Sequence, residues 1–225
     1  MKRSLGLGLA LSSCLLAVSL GAEPVLVDRA VVRFQAPETG GVRRPRFVFE
    51  RELSFEARLE ALADPDRVAL GDAPYRDRHV TAALDRHIAE TILGALRIEP
   101  EPTSAELEKQ SQLARRMLSD RAGGPEALTA AREAEGLSER EVGRLLLQKA
   151  RASLYLDRMV TPMLEPSEAE LRSLHKSTNT PFKDAPFDTI RPALLRWYVA
   201  RRLNAAVASF FENARSRIDV TVLRR

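Results

Sequence analysis

The chain has 225 residues, of which 44% are hydrophobic and 29% are charged, a composition that excludes wholesale disorder. Its formal net charge is +4, and about +2 remains if Lys2 and Arg3 are removed, so nucleic acid is not expected as a partner. Aromatic residues make up only 5%, which argues against a surface that stacks on bases or sugars.

Residues 1–22 have the layout of a secretory signal peptide. A short cationic start precedes an apolar run over residues 5–20, and small residues come before Glu23. The run is too short for a typical membrane-spanning helix. We therefore expect residues 23–225 to form the mature protein, a single domain in the periplasm or outside the cell.

The only cysteine, Cys14, lies within this leader. A mature chain without thiols would have no disulfide, no cysteine nucleophile and no zinc–thiolate site. Residues 11–14 also resemble a bacterial lipobox, so lipid attachment at Cys14 is the minor alternative. The apolar run continues for six residues beyond Cys14, which favours cleavage near residue 22.

The mature chain begins with strand patterns and continues with helical ones. Residues 25–34 and 46–49 predict a β-hairpin around a turn that contains Gly40 and Gly41. Helical patterns then cover residues 54–63, 76–96, 103–121 and 125–136, about 24 residues after Ser138, a segment after Ser167, and residues 189–217.

Three of these helices begin with a capping box, in which a Ser or Thr and a Glu three residues later satisfy each other's backbone amides. The pairs are Thr103 with Glu106, Ser138 with Glu141, and Ser167 with Glu170. These motifs fix the expected helix starts more firmly than the hydrophobic pattern does.

The last helix, residues 189–217, would be over 40 Å long at about 1.5 Å per residue. We expect it to lie across several other elements and to bury a wide face. The aromatic residues expected in that face are Trp197, Tyr198, Phe210 and Phe211. Residues 218–222 alternate as a short strand, which we expect to pair with residues 27–32 because neither segment is stable alone.

No catalytic or metal-binding motif is visible in the sequence. His79 and His87 are about 12 Å apart along one helix, too far to share a metal ion, and we interpret both as surface or boundary residues. Nucleotide-binding, nucleophile-elbow and zinc-protease motifs are missing from the sequence. We therefore predict no enzyme activity, no cofactor and no metal, and expect the function to lie in a surface.

The order of elements resembles the N-terminal chaperone module of the SurA/PrsA-type periplasmic foldases, in the trigger factor/SurA peptide-binding superfamily. The segments that carry the resemblance are residues 76–98, Pro102-Thr-Ser-Ala-Glu-Leu107, Leu137-Ser-Glu-Arg-Glu-Val142 and Leu164-Glu-Pro-Ser-Glu-Ala-Glu-Leu171. The resemblance implies a mainly α domain with an N-terminal β-hairpin, a long closing helix and a short C-terminal strand. It also implies ATP-independent binding of unfolded or partly folded envelope and outer-membrane polypeptides.

One departure from that family restricts the expected activity. Its isomerase domain is normally inserted before the last helix, where it would need about a hundred residues. Only fifteen residues separate Leu171 from Phe187 here. We therefore expect peptide binding without prolyl isomerase activity, and an isomerase of unfamiliar type is a minor alternative.

Five apolar residues are candidates for the peptide-binding surface. Flexible, polarisable methionines suit a surface that accepts many sequences, and a loop Phe preceded by Pro could reach a client. The candidates are Met117, Met159, Met163, Phe182 and Phe187. For each of them, packing in the protein's own core is the alternative. The alternative for the whole chain is a dedicated assembly subunit of one envelope partner, and weak homo-oligomerisation is left open.

Overall fold

A computed structural model of the protein describes residues 28–66, 73–177, 180–182, 184–215 and 217–223. The predicted leader, with Cys14, lies outside the described residues. The described chain is mainly helical and has one small antiparallel sheet, which confirms the predicted fold class at that level.

The sheet has three strands in the order β2-β1-β3. They are β1 (Ala30–Ala36), β2 (Val42–Phe49) and β3 (Asp219–Val222). The turn between β1 and β2 uses Gly40 at φ +84°, a left-handed conformation that suits glycine. The predicted hairpin is confirmed, although β2 begins four residues earlier than expected.

Pairing of β1 with β3 joins the two ends of the described chain. Val32 pairs with Val222 and Phe34 with Val220 in an antiparallel register. The Leu223 amide also donates to the Val31 carbonyl at 2.9 Å. The predicted pairing of the first and last strands is therefore confirmed for the described residues.

The helices follow the predicted order closely. They are α1 (Glu50–Leu62), α2 (Asp77–Ala95), α3 (Ser104–Ala122), α4 (Pro125–Ala134), α5 (Glu139–Tyr155), α6 (Thr161–Leu164), α7 (Glu168–Lys176) and α8 (Phe187–Arg215). A π-helical turn, Leu156–Val160, joins α5 to α6, so the helical segment that begins after Ser138 ends at Leu164.

All three predicted capping boxes form. At α5, for example, the Glu141 carboxylate accepts the Ser138 amide at 2.7 Å, and the Ser138 hydroxyl accepts the Glu141 amide at 3.3 Å. The boxes at α3 and α7 have the same reciprocal bonds. Helix α1 begins at Glu50, directly after β2, rather than at residue 54 as the hydrophobic pattern predicts.

The core consists of three apolar clusters. The first packs the sheet against α1 and α2, and includes Val32, Phe34, Val48, Leu53 and Ile92. The second joins α1 with α3, α4 and α5, and includes Phe55, Leu59, Leu128, Val142 and Leu146. The third is smaller and joins α7 to the start of α8 through Leu171, Ile190 and Leu194.

Helix α8 connects the third cluster to the first, and the expectation that it buries a wide face is wrong. Among its described side chains only Ile190 and Leu194 are buried. Trp197 and Tyr198 are half-buried, and Phe210 packs against the first cluster. The Phe211 side chain lies outside the described part of the chain. The reason is that α8 packs at its two ends, which leaves its middle turns half-buried or exposed.

The interpretation of His79 and His87 as surface or boundary residues is also wrong, because both are buried. The Nε2 atom of His79 lies 2.8 Å from an Asp64 carboxylate oxygen, and Nδ1 of His87 lies 2.8 Å from Glu56. Each buried ring thus has a carboxylate partner that satisfies a hydrogen bond, a half-buried one in Asp64 and a buried one in Glu56.

Candidate functional site

A groove of about 560 Å³ lies between α2, α3, α5 and the C-terminal end of α8 with β3. Each of the first three helices contributes one stripe of residues at helical spacing. The stripe on α3 consists of Ala114, Met117, Leu118 and Arg121. The stripe on α5 consists of Lys149, Ala152 and Ser153 and continues to Leu156 at the start of the π-helical turn.

The lining of the groove is mainly apolar and includes several small residues. Alanines at positions 82, 89, 114 and 152 leave space between the helices, while Leu93, Leu118 and Leu156 supply apolar walls. Met117 is 58% exposed, so the wall that it forms is open to solvent. The fourth side comes from Val207 on α8 and from Ile218 and Val220.

Close packing of α2 against α5 sets the depth of the groove. A Cβ atom on Gly94 of α2 would lie 3.2 Å from the Gln148 carbonyl oxygen of α5, so glycine allows the two helices to approach. The Gln148 amide also donates to the Thr91 hydroxyl at 2.6 Å. The two helices therefore form a continuous base under the apolar walls.

A buried ionic cluster connects α1, α2 and α5, and two of its members, Lys149 and Glu90, line the groove. The Lys149 ammonium lies 2.9 Å from a Glu56 carboxylate oxygen and 2.5 Å from Glu90. The second carboxylate oxygen of Glu56 lies 2.8 Å from the His87 ring. Arg144 of α5 contacts Glu52 of α1 at 3.3 Å on the side of the cluster nearer the solvent.

The pKa shifts of Glu56, Lys149 and His87 favour the charged forms of these residues, whereas burial raises the pKa of Glu90. Burial alone would raise the pKa of Glu56, but Lys149 and His87 more than offset it and lower the pKa to about 2. Burial would lower the pKa of Lys149, yet Glu56 and Glu90 raise it. For His87, the hydrogen bond to Glu56 and its charge outweigh burial, so the pKa of the ring is raised.

The directions of these pKa shifts also indicate which chemistry the cluster can carry out. Lys149 is protonated at neutral pH and bonded to two carboxylates, and a protonated amine is not a nucleophile. The cluster therefore holds three helices in register at the groove, and the remainder of the groove offers a mainly apolar surface for binding.

Two cations at the groove wall are paired as well. Arg86 of α2 and Arg121 of α3 both donate to the carboxylate of Glu60 on α1, the second at 3.3 Å. With Lys149, the three cations that line the groove are thus all paired with glutamates. An uncharged ligand fits this lining better than an acidic one does.

The structure brings only one of the five predicted binding residues to the groove. Met117 lies in its wall. Met159 is half-buried on the π-helical turn, and Met163 is 72% exposed on α6, outside the residues that line the groove. Phe182 and Phe187 pack against the third apolar cluster. Sequence reasoning missed the stripes on α2 and α5, although their i, i+3, i+4, i+7 spacing is visible in the sequence.

Phe187 makes specific contacts within the protein. Its ring lies edge-on to His175 with centroids 5.6 Å apart, and the Arg172 guanidinium lies 4.4 Å from the ring centroid. His175 in turn bonds the Ala185 carbonyl at 2.8 Å. These contacts anchor the start of α8 to α7.

Within the described ranges, no group of three or more His, Cys, Asp or Glu residues is placed to hold a metal ion. Among those residues, no helix combines the length and apolar character needed to span a membrane. The chain matches no protein-family model, no curated protein and no solved structure. The resemblance to SurA/PrsA-type foldases therefore stays a prediction.

Proposed function

We propose that this chain is an ATP-independent, chaperone-like protein of the cell envelope that binds extended apolar segments of unfolded or partly folded polypeptides, such as outer-membrane proteins. The groove carries the proposal, because it is apolar, open to solvent and about 560 Å³ in volume. That volume is within the range of about 300–1,000 Å³ found for ligand-binding clefts. No nucleotide or small-molecule cofactor has a role in this function.

The side chains of the groove support binding of varied sequences. Met117 is exposed, flexible and polarisable, and a methionine side chain adapts to different apolar partners. The alanines around it leave room for a ligand's side chains. Because the cations of the lining are already paired, binding is driven by burial of apolar surface rather than by charge.

The resemblance of the element order to that of the chaperone module of SurA/PrsA-type foldases supports the same proposal. The connection between α7 and α8, residues 177–186, is too short for an inserted isomerase domain. The proposal is therefore restricted to binding and does not include prolyl isomerisation.

Residues 1–22 support a location outside the cytoplasm. Intact-mass measurement of protein made in a secreting host is expected to give a chain that begins near Glu23. A mass that corresponds to a lipid-modified chain beginning at Cys14 would instead support the minor alternative, a lipid anchor.

The experiment that tests the function measures suppression of aggregation with two unrelated unfolded clients. Purified protein of residues 23–225 is expected to delay aggregation of both clients at near-equimolar concentration. Met117→Asp places a charge in the groove wall and is expected to weaken suppression at least fivefold. Met163→Asp, the matched control, changes an exposed methionine outside the groove and is expected to have no effect.

Two other outcomes of this experiment would decide against the chaperone proposal. Suppression of neither client would contradict the chaperone proposal. Binding of a single envelope partner, with no effect on either client, would assign the chain to the class of dedicated assembly subunits.

A further inference from the structure

We propose that the outer edge of β3, with which no strand of the described residues pairs, binds its client by strand addition, so that an extended apolar segment becomes a fourth strand of the sheet beside the groove. This inference rests on the proposed function and specifies the conformation and chemistry of the segment that is bound. The segment is an uncharged β-strand with apolar residues at alternate positions.

The register of β3 determines which of its backbone groups face outward. The Leu223 amide donates to the Val31 carbonyl, which makes this a hydrogen-bonded pair. In an antiparallel ladder such pairs alternate with non-hydrogen-bonded ones. Thr221 and Asp219 therefore also face β1, while the amides and carbonyls of Val220 and Val222 point away from it, about 7 Å apart.

No strand of the described chain pairs with that outer edge, because the sheet order ends at β3. All four residues of β3 are exposed, and Val222 is 67% exposed. Val220 and Val222 lie opposite Phe34 and Val32, which face the core. The apolar face of the sheet thus continues onto β3, where it is left largely uncovered.

The opposite edge of the sheet is protected in a way that β3 is not. Strand β2 has Arg43, Arg44, Pro45 and Arg46 in succession, all exposed. Charged side chains and proline on an edge strand prevent pairing with another chain. Strand β3 has no lysine, arginine or proline, and its one charged side chain, Asp219, accepts a hydrogen bond from Gln35 of β1 at 3.1 Å. Of the two edges, only β3 is suited to accept a strand.

The position of β3 beside the groove gives the added strand a place for its side chains. Ile218 and Val220 line the groove, so a strand paired with β3 would border the same apolar space. The cations of that space are paired with glutamates, which favours an uncharged segment. Backbone pairing also explains breadth of binding, because main-chain hydrogen bonds are independent of sequence.

Amide hydrogen exchange measured by NMR tests this inference directly. The probe is a synthetic nine-residue peptide of alternating valine and serine with one terminal lysine for solubility. At saturating peptide, exchange of the Val220 and Val222 amides is expected to slow at least tenfold. The Thr221 amide, already bonded to β1, serves as the internal reference and is expected to change less than threefold.

A pair of variants at one position gives a second measurement. Val222→Pro removes an outward-facing donor without removing a bond to β1, and is expected to weaken peptide binding at least tenfold. Val222→Ala keeps the amide and is expected to change affinity less than threefold.

The outcomes separate this inference from the proposed function. If the peptide binds but the Val220 and Val222 amides exchange as before, strand addition is wrong and groove binding by side chains stands. If neither the peptide nor an unfolded client binds, both proposals are wrong. If, in the absence of peptide, exchange of these two amides became slower as the protein concentration rose, the edge would pair with a second copy of the chain. That result would also overturn strand addition by a client.

Discussion

Lys149 of α5 and Glu56 of α1 are 93 residues apart in the sequence, and their charged groups meet at 2.9 Å beside the groove that Lys149 lines. Both side chains are almost completely buried. A buried charge that loses its partner is strongly destabilising. The folded protein therefore requires both residues to be in place. The register of α1, α2 and α5, and with it the base of the groove, depends on this contact.

The lowered pKa of Glu56 predicts a loss of stability in acid. Its pKa is about 2 in the folded protein against an ordinary value of 4.5, so its stabilisation is present above about pH 4.5 and is lost as the pH falls towards 2. The difference corresponds to about 3 kcal/mol of unfolding free energy. Urea denaturation at a series of pH values between 2 and 6 measures it.

The variant Glu56→Gln is expected to be less stable than the wild type at pH 7 and to show a correspondingly flatter acid limb. Glu133→Gln, at an exposed glutamate of α4, is the matched control and should follow the wild-type curve. A Glu56→Gln protein with unchanged stability at pH 7 would show that the buried cluster does not hold the helices together.

The raised pKa of His87 predicts the opposite dependence, a loss of stability as the pH rises. The charged ring stabilises the fold fully below its ordinary pKa of 6.5, and this contribution is lost as the pH rises through the raised value. Unfolding free energy is therefore expected to fall as the pH rises above 6.5, and less so in His87→Gln. NMR titration of the ring gives the pKa itself, and a midpoint below 6.5 would contradict the expectation.

Phe187 is expected to act in stability rather than in client binding. Phe187→Ala removes a ring that contacts Arg172 and His175 and packs on the third cluster, which should cost about 2–3 kcal/mol in a partly buried site. Affinity for an unfolded client is expected to stay within twofold of the wild type. A large loss of affinity with unchanged thermal stability would restore Phe187 as a binding residue.

Removal of the C-terminal strand is expected to destabilise the whole sheet. Deleting residues 218–225 removes the ladder between β1 and β3 and the packing of Ile218, at a cost of about 3 kcal/mol. It would also expose the β1 edge, so the truncated protein should associate. Thermal unfolding and light scattering measure both effects. A truncated protein that melts at the wild-type temperature as a monomer would mean that the strand contributes nothing.

Much of this fold could be predicted from interactions between residues that are close together in the sequence. The Ser138 and Glu141 pair, like the other two capping boxes, needs only residues three positions apart, so the helix starts follow from the sequence. The terminal strands were predictable for a related reason, because short β-branched segments need a partner. The first and last residues of the helices and strands were predicted less accurately, since α1 begins four residues before the expected position.

Contacts between distant residues were not predictable. His87 was interpreted as a surface or boundary residue because its neighbours in sequence do not reveal Glu56, which is 31 positions away. The same limit applies to Phe187, whose partners in α7 become visible only once the two helices are packed. The groove was found only in part, through Met117, because its walls come from four separate segments.

Site-specific photo-cross-linking tests the central claim, that unfolded clients occupy the groove. A photoreactive phenylalanine analogue placed at Met117 and at Val207 samples two walls of the groove. The same analogue at Met163 and at Leu147, both exposed apolar positions outside the groove lining, provides the controls. We predict that both groove positions cross-link to each of two unrelated unfolded clients at least tenfold more than the controls do. Equal cross-linking from all four positions, or cross-linking from the controls alone, would contradict the account.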